Sequence, residues 1–288
     1  MRVLILGTDT PLGHALVATQ EYLGRHELVT MSISACRWKS ERQAKKSVVR
    51  AKCDVVVDVR VESAGDSGNQ IQELDLKRCH WIAKACQRSG TTYFYVSSSR
   101  VFSGQLDRPY VEDDTPDNEE TVGQLLATAE QLVRDHCQHH FILRLGPVFS
   151  YEGNNLITQM LGPMRDGGSL ILDNNLRGCP VAAADGARVI SAVLDQLGTG
   201  LEPWGSYHYG STDTATYYEF AEALLASASQ FSEFSASAVQ LEAQPEGQAP
   251  LNRVLDCSKI RNTFAIKQIP WRSTIADLVK QYYEQQEN

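Results

Sequence analysis

The 288-residue sequence lacks any long apolar run. Its N-terminal apolar segment ends at Gly7, which is too short for the roughly 7 to 15 apolar residues of a signal-peptide core. No later stretch approaches the roughly 20 apolar residues of a membrane span, so we expect a cytoplasmic chain with no membrane partner. Positive charge is also scarce, since 27 Lys and Arg face 35 Asp and Glu and leave a net charge of −8. This balance argues against nucleic acid as a partner.

Paired cysteines are absent as well. The seven cysteines are an odd number, and no two of them are spaced as Cys-x-x-Cys. We therefore expect reduced thiols rather than a disulfide framework or a zinc site. The densest group of ligand types, His136 to His140, is followed by a predicted strand that would separate its side chains. We predict no metal site.

The sequence does contain an alternation of short β-rich runs and helical stretches. Strands are predicted at Val3 to Leu6, Glu27 to Ile33, Cys53 to Val59, Thr92 to Ser97 and Phe141 to Leu145, and helices from Pro11, over Ile71 to Ser89 and over Gly123 to Cys137. Because strands that alternate with helices form right-handed β-α-β units, this order predicts an α/β fold with a Rossmann-type, doubly wound parallel sheet.

The pattern becomes less regular beyond residue 150, where glycines interrupt it. We predict a first domain over residues 1–150 and a smaller α/β region over residues 151–288. A helix near residues 185–196 is expected to pack back on the first domain. Amphipathic helices are also predicted at Tyr218 to Ala228 and at Ile275 to Glu284, whereas residues 229–250 are weakly patterned.

The loop after the first strand runs from Gly7 to Gly13 and leads into a helix. Amides at a helix N-terminus can hold the pyrophosphate of a dinucleotide. The same residues also suit an explanation without a ligand, in which Thr10 caps the helix and Pro11 occupies its first turn. The loop alone leaves both interpretations open.

Seven blocks of the sequence occur in the order and spacing of a known family. They are Gly7 to Gly13, Tyr95 to Gly104, Pro109 to Glu112, Ile142 to Arg144, Gly178 to Pro180, Tyr207 to Gly210 with Tyr218 to Ala221, and Leu255 to Lys259. On these blocks the chain resembles the dTDP-4-dehydrorhamnose reductase family of the extended short-chain dehydrogenase/reductases. The resemblance covers about residues 1–275.

This resemblance implies an NAD(P)-binding Rossmann domain, a C-terminal region that binds a sugar nucleotide, and hydride transfer to a sugar ketone. Ser98 keeps the position of the family's catalytic hydroxyl. The implied cofactor contacts are Gly7, Thr10, Pro11, Leu12, Gly13, Arg37, Asp58, Val59 and Ser97, and the implied substrate contacts are Ser98, Arg144 and Pro180.

The catalytic Tyr and Lys of that family are missing. The helix that carries Tyr-Gly-x-x-Lys in the family aligns with the segment from Val122 to Glu130, which places Val122 at the Tyr and Leu126 at the Lys. No Lys lies between Lys84 and Lys259, so no shift of register recovers the pair. The chemistry needs both groups, because a phenol of pKa about 10 is a poor acid near neutrality unless a cation stabilises its anion.

The cofactor site departs from the family too. Thr10 stands where the family has a Gly, which adds a β-branched side chain at a place of close approach. The segment after the third strand reads Asp58-Val59-Arg60 instead of small residues. Arg60 would either fill the groove or grip a phosphate.

The end of the second strand decides which dinucleotide is favoured. No acid follows this strand to bind a ribose hydroxyl, whereas Arg37, Lys39 and Arg42 lie close by. NADP(H) is therefore favoured over NAD(H), although three cations in a loop are also typical of a solvated surface. We expect weak NADP(H) binding or none.

Substrate-side residues are altered as well. The family's aromatic residue after the Arg144 strand falls on Pro147, and its C-terminal Arg falls on Ala249. Ser98 lies at the carboxyl end of a strand, where α/β proteins bind ligands, but capping of the following turn explains it equally well.

We favour the hypothesis of a catalytically inactive or much reduced family member that binds a nucleotide or sugar nucleotide and acts by binding or regulation on a protein partner. The regulatory β subunit of methionine adenosyltransferase, which resembles these reductases, is a fold-level precedent. One alternative is an active NADPH-dependent reductase with another proton donor, such as Tyr110 or water, with Tyr95 as a second candidate phenol. Another is a scaffold with no ligand, and a homodimer stays open for each.

Overall fold

The computed structural model describes residues 1–61, 71–231, 239–244 and 250–286. Ala249, the predicted position of the family's Arg, lies outside them, as does much of the weakly patterned segment 229–250. The strands of the described ranges are β1 (Arg2–Leu6), β2 (Glu27–Met31), β3 (Val55–Asp58), β4 (Thr92–Ser98), β5 (His140–Leu145), β6 (Val148–Phe149), β7 (Ser169–Asp173), β8 (Leu176–Arg177), β9 (Val181–Ala182), β10 (Gly205–Tyr209), β11 (Gln240–Gln244) and β12 (Leu251–Asn252).

The helices of the same ranges surround these strands. They are α1 (Pro11–Leu23), α2 (Glu41–Ala51), α3 (Glu73–Ser89), α4 (Thr121–His136), α5 (Leu156–Arg165), α6 (Ala183–Leu197), α7 (Tyr217–Ala228), α8 (Ser258–Phe264) and α9 (Arg272–Gln286). None of them combines the length and hydropathy that a membrane-spanning helix needs.

Six parallel strands form the central sheet in the order β10-β5-β4-β3-β1-β2. The interior strand β3 is buried at every position, as expected for a sheet that helices cover on both faces. Helix α3 packs between α2 and α4, and α6 packs against α1. The predicted Rossmann-type α/β fold is confirmed.

A second, smaller core joins α5, α7 and α9. Phe149, Phe220 and Trp271 meet in it, with ring centroids 5.1 Å and 4.8 Å apart. The central sheet nevertheless continues past residue 150, because β10 supplies its sixth strand. A domain boundary at residue 150 therefore stays a prediction.

All seven cysteines are buried and carry free thiols. Each belongs to the main core, which includes the central sheet, and none belongs to the smaller one. Among the described residues, no three His, Cys, Asp or Glu side chains converge in a group that could hold a metal ion.

Candidate functional site

The loop between β1 and α1 forms the tight turn that its glycines allow. Gly7 has a φ of 92°, in the left-handed region, and a Cβ on Gly13 would lie 2.0 Å from the Gly7 carbonyl oxygen. Thr10 is the N-cap of α1, and its Oγ1 accepts a hydrogen bond from the Gly13 amide at 2.9 Å. The capping interpretation of Thr10 and Pro11 thus describes the loop's own hydrogen bonds.

These hydrogen bonds limit what the helix N-terminus can offer a phosphate. Thr10 donates its amide to the Gly7 carbonyl at 3.0 Å, and its side chain holds the amide of Gly13. Pro11 has no amide hydrogen. Leu12 is the first-turn residue whose amide is neither missing nor held by Thr10, so a pyrophosphate would find fewer donors than at an ordinary dinucleotide loop.

Acidic side chains lie beside the same turn. The Glu152 carboxylate forms an ion pair with His14 of α1, and Asp9 Oδ1 accepts a hydrogen bond from the Ile33 amide at 2.6 Å. Both acids line a cavity of about 210 Å³ above the loop. Carboxylates at this position would repel the phosphates of a dinucleotide.

Arg60 closes the end of β3. Its Nε and Nη2 donate to Asp58 Oδ1 and Oδ2 at 2.8 Å and 2.7 Å, and the Tyr93 hydroxyl donates to the same carboxylate at 2.7 Å. Burial opposes the charge on Arg60, but the Asp58 carboxylate outweighs it and raises the pKa of the guanidinium. A Cβ on Gly7 would lie 3.0 Å from the Arg60 Cα. Of the two roles considered for Arg60, this geometry matches a residue that fills the groove.

Two other predicted cofactor positions differ in exposure. Val59 is fully buried, and its amide donates to the Leu6 carbonyl at 3.0 Å. Arg37 is exposed after β2 and is therefore accessible to a 2′-phosphate. Arg42 was expected in a loop but lies in the first turn of α2, so the three cations do not share one loop.

Ser97 and Ser98 lie at the carboxyl end of β4, and both are buried. Ser97 Oγ donates to Glu130 Oε1 at 2.7 Å. Ser98 Oγ accepts the Arg100 amide at 3.3 Å and caps the short helical turn that follows. Capping, one of the two explanations for Ser98, is thus the contact it makes.

Arg144 was expected to contact substrate, but it lies in the core with 1% of its surface exposed. Its Nη2 donates to Glu130 Oε2 at 2.7 Å, and its Nε donates to Glu130 Oε1 at 2.9 Å. Burial alone would raise the pKa of Glu130, but Arg144 and then Arg134 lower it. The buried Glu130 carboxylate thus occupies the guanidinium, and a substrate contact by Arg144 stays a prediction.

The positions aligned with the family's catalytic pair lie on α4. Leu126 is fully buried in the main core, and the partly buried Val122 packs against that core. Both candidate substitute phenols are buried. Tyr95 is fully buried, and burial raises its pKa well above the ordinary value. Tyr110 is 1% exposed and stacks on Phe102 at 4.1 Å.

A narrow cleft separates the carboxyl end of β4 from α7. Its walls are largely apolar, and its open space is small, about 30 Å³. The predicted contact Pro180 lines it together with Arg100, Arg253 and Tyr217. Arg253 is 8% exposed, and its nearest acidic partner, Glu120, lies 3.6 Å away at the surface.

Arg100, Arg253 and Tyr217 were not singled out from the sequence. They come from the segment after β4, the segment after β12 and the first turn of α7. No local motif joins residues so far apart in the chain. Arg100 and Arg253 bring positive charge, and Tyr217 brings a phenol, to an otherwise apolar cleft, which suits an anionic ligand.

Comparisons with known proteins agree with this architecture. The family model described as the RmlD substrate binding domain matches residues 1–284. The dTDP-4-dehydrorhamnose reductase of Escherichia coli K12 is 24% identical over 300 residues, covering 98% of both chains.

Solved structures share the fold over nearly the whole chain. A dTDP-4-dehydrorhamnose reductase from Clostridium acetobutylicum has a TM-score of 0.80 at 17% identity, covering 98% of this chain and 100% of that one. The Bacillus anthracis reductase, solved in complex with NADP, has a TM-score of 0.79 at 18% identity, with coverage of 97% and 98%. The chain therefore belongs to the RmlD substrate binding domain family of dTDP-4-dehydrorhamnose reductase-like proteins.

Proposed function

We propose that this chain is a catalytically inactive, or much reduced, family member that binds a nucleotide or sugar nucleotide and acts through binding. The observation that carries the proposal is Leu126, which aligns with the family's Lys and is fully buried in apolar surroundings. A reductase of this class needs a phenol with a neighbouring cation to protonate the sugar oxygen. Leu126 has no charge with which to supply that help.

The geometry of the predicted cofactor site should make dinucleotide binding weak. Thr10 and Pro11 reduce the number of amide donors at the helix N-terminus, and Asp9 and Glu152 place negative charge beside it. Arg60, turned onto Asp58, closes the adjoining groove. NADP(H) remains the dinucleotide that the exposed Arg37 favours.

The cleft between β4 and α7 is the proposed ligand site. Arg253 and Arg100 give it the positive charge that the diphosphate of a sugar nucleotide requires. Because the open space is about 30 Å³, a whole sugar nucleotide requires the cleft to widen. The buried free thiols fit a reducing compartment such as the cytoplasm, where a protein partner would respond to the bound form.

One observation favours the alternative of an active NADPH-dependent reductase. Tyr217 is a phenol that lines the same cleft as the guanidinium groups of Arg100 and Arg253. If reductase activity is found, we expect Tyr217→Phe to remove it. The buried phenols Tyr95 and Tyr110 should not matter.

Thermal unfolding in the presence of ligands tests the proposal. A ligand at roughly 100 times its Kd stabilises the folded state by about 2.7 kcal/mol. We expect a stabilising shift with dTDP-sugars, little or none with NAD(H), and at most a small shift with NADP(H).

A matched pair of variants locates the site. Arg253→Gln should lose the shift caused by dTDP-sugars, whereas Arg165→Gln on the exposed surface of α5 should keep it. Absence of any shift with sugar nucleotides and dinucleotides alike would leave the scaffold hypothesis.

A further inference from the structure

Positive charge is concentrated on one exposed helix and its flanks. Six exposed cations occupy residues 39–52, which contain a single acid, Glu41. We name this the basic surface, and its members are Lys39, Arg42, Lys45, Lys46, Arg50 and Lys52. The rest of the chain keeps 21 of the 27 Lys and Arg but 34 of the 35 Asp and Glu. The basic surface is thus a patch of positive charge on a molecule that is otherwise acidic.

No acid among the described residues pairs with the cations of the basic surface. Glu41 pairs instead with Arg88 of α3, at 3.1 Å. Within the described ranges, none of the six cations forms an ion pair. Val49 lies among them with half of its surface exposed.

A second exposed surface has the opposite composition. Residues 107–120 contain seven acids and one cation, Arg108, whose guanidinium is held by Asp114 at 2.7 Å. We name this segment the acidic surface, and its acids are Asp107, Glu112, Asp113, Asp114, Asp117, Glu119 and Glu120. Asp107, Asp113 and Glu119 are exposed and form no ion pair with another described residue.

The basic surface and the acidic surface lie beside different strands of the central sheet. Helix α2 connects β2, one edge strand, to β3. The acidic surface is fixed to β10, the other edge strand, because Glu112 Oε1 accepts the His208 amide at 3.0 Å and the Tyr110 carbonyl contacts His208 Nδ1 at 3.1 Å. Strand β3, to which α2 leads, lies three strand spacings from β10, which is about 14 Å. No ion pair among the described residues joins the two surfaces.

We propose that the basic surface of one copy of this chain binds the acidic surface of a second copy. A single contact leaves an unpaired acidic surface on the first copy and an unpaired basic surface on the second. Copies joined by such contacts form a ring or an open chain, or a two-fold dimer where the same two copies make both contacts reciprocally.

Other anionic partners fit the basic surface less well. A helix of 11 residues is about 16 Å long, and a nucleic acid or a membrane would extend past it. Both would then meet a surface that carries a large excess of acids, which opposes their binding. The acidic surface of another copy carries charge of the opposite sign on a compact segment, with seven acids against six cations.

Sedimentation equilibrium of the full chain at two salt concentrations tests the proposal. Charges interact over about 10 Å at about 0.1 M salt and over about 3 Å at about 1 M. We expect the average mass to rise above 31.9 kDa with increasing protein concentration at the lower salt, and to return to that value at the higher salt. A monomer at both salts, or an association that 1 M salt strengthens, overturns the proposal.

Charge-reversal variants identify the two surfaces. Lys45→Glu with Lys46→Glu should abolish association, and Asp113→Lys with Glu119→Lys should do the same. Mixing the two variants should restore it, because the intact acidic surface of the first then meets the intact basic surface of the second. Arg165→Glu with Lys280→Glu, exposed positions outside both surfaces, is the control that matches the charge change of the Lys45 and Lys46 variant, and it should associate normally. Failure of the mixture to associate, or equal loss in the control, also overturns it.

Discussion

Arg60 binds the carboxylate of Asp58 through two hydrogen bonds, although the two residues lie only two positions apart at the end of β3. Both side chains are almost completely buried, at 4% and 0% exposure. The arrangement places a satisfied ion pair where the family has small residues next to the cofactor. The guanidinium of Arg60 is therefore already paired within the chain.

Removal of Arg60 should destabilise the protein. Arg60→Ala leaves the Asp58 carboxylate buried with the Tyr93 hydroxyl and the amide of residue 60 as donors but without a cation, and loss of one partner of a buried pair costs about 3 to 5 kcal/mol. Urea unfolding measures this loss. Asp58→Asn combined with Arg60→Ala removes the uncompensated charge and should recover part of the stability. Equal stabilities of Arg60→Ala and the wild type would contradict the pairing described here.

Dinucleotide affinity should be low for two reasons, the cap formed by Thr10 and the Asp58–Arg60 pair, and substitutions can separate them. Thr10→Gly frees the Gly13 amide and should raise NADP(H) affinity, while the loss of the N-cap costs at most a few tenths of a kcal/mol because Gly is a tolerated cap. Calorimetry checks the affinity. Sub-micromolar NAD(H) binding by the wild type would refute the crowding explanation, and so would an unchanged weak affinity after Thr10→Gly is combined with Asp58→Asn and Arg60→Ala.

Reduction of dTDP-4-dehydrorhamnose by NADPH should be near background, because loss of an acid-base catalyst usually lowers the rate by roughly 10² to 10⁴. Turnover in the usual range of about 1 to 10³ per second would contradict this. Restoring the family pair should also fail, because Leu126→Lys places a cation at a fully buried position and should lower the melting temperature. Val122→Tyr alone, at a partly buried position, serves as the tolerated control.

Substitution of Arg144 should lower the stability of the protein and leave its ligand affinity unchanged. Arg144→Met leaves Glu130 without its main partner in the core, which should cost about 3 to 5 kcal/mol. Glu130→Gln should be comparably destabilising, and the double variant should lose less than the sum of the two. A change in sugar-nucleotide affinity with unaltered stability would return Arg144 to the ligand site.

His208 should make folding sensitive to mild acid. Its Nε2 faces Arg144 Nη1 at 3.2 Å, and burial, followed by the charge of Arg144, lowers its pKa to about 3. Between about pH 6.5 and 5 the unfolded chain binds a proton at His208 that the folded chain does not, so stability falls as the pH falls, by up to about 1.4 kcal/mol per unit.

Comparison with His208→Gln isolates this contribution. The variant should show a shallower fall of unfolding free energy over the same range, since the other histidines and the carboxylates are unchanged. Parallel curves for the wild type and the variant would show that His208 titrates normally.

The sequence predicted the sheet well because burial on both faces leaves nearly continuous apolar runs. The predicted strand at Thr92 to Ser97 is observed at Thr92–Ser98, and the predicted helix from Ile71 to Ser89 at Glu73–Ser89. Helix α2 was missed because its buried face is short, with Ala44, Val48 and Ala51 among many charged residues. Packing against α3 stabilises α2, although the sequence pattern of α2 alone does not predict a helix.

The candidate site was predicted less well than the fold. Spacing located the first loop, but it could not tell whether Arg60 would turn toward Asp58 or toward a ligand. One available signal was overlooked: Glu130 lies on the apolar stripe of α4, four residues after Leu126 and three before Val133, and an acid there needs a buried partner. Arg253 and Tyr217 gave no such signal, because only the folded chain brings them together.

Every thiol lies in the main core, so the reactivity of the thiols reports when that core opens. Burial raises the pKa of these groups, to about 12 for Cys79, so they react slowly with alkylating reagents while the sheet stays closed. Fluctuations limited to the α5, α7 and α9 core would leave every thiol unmodified. Time-resolved alkylation read by mass would therefore distinguish motion of that region from opening of the sheet, without any introduced label.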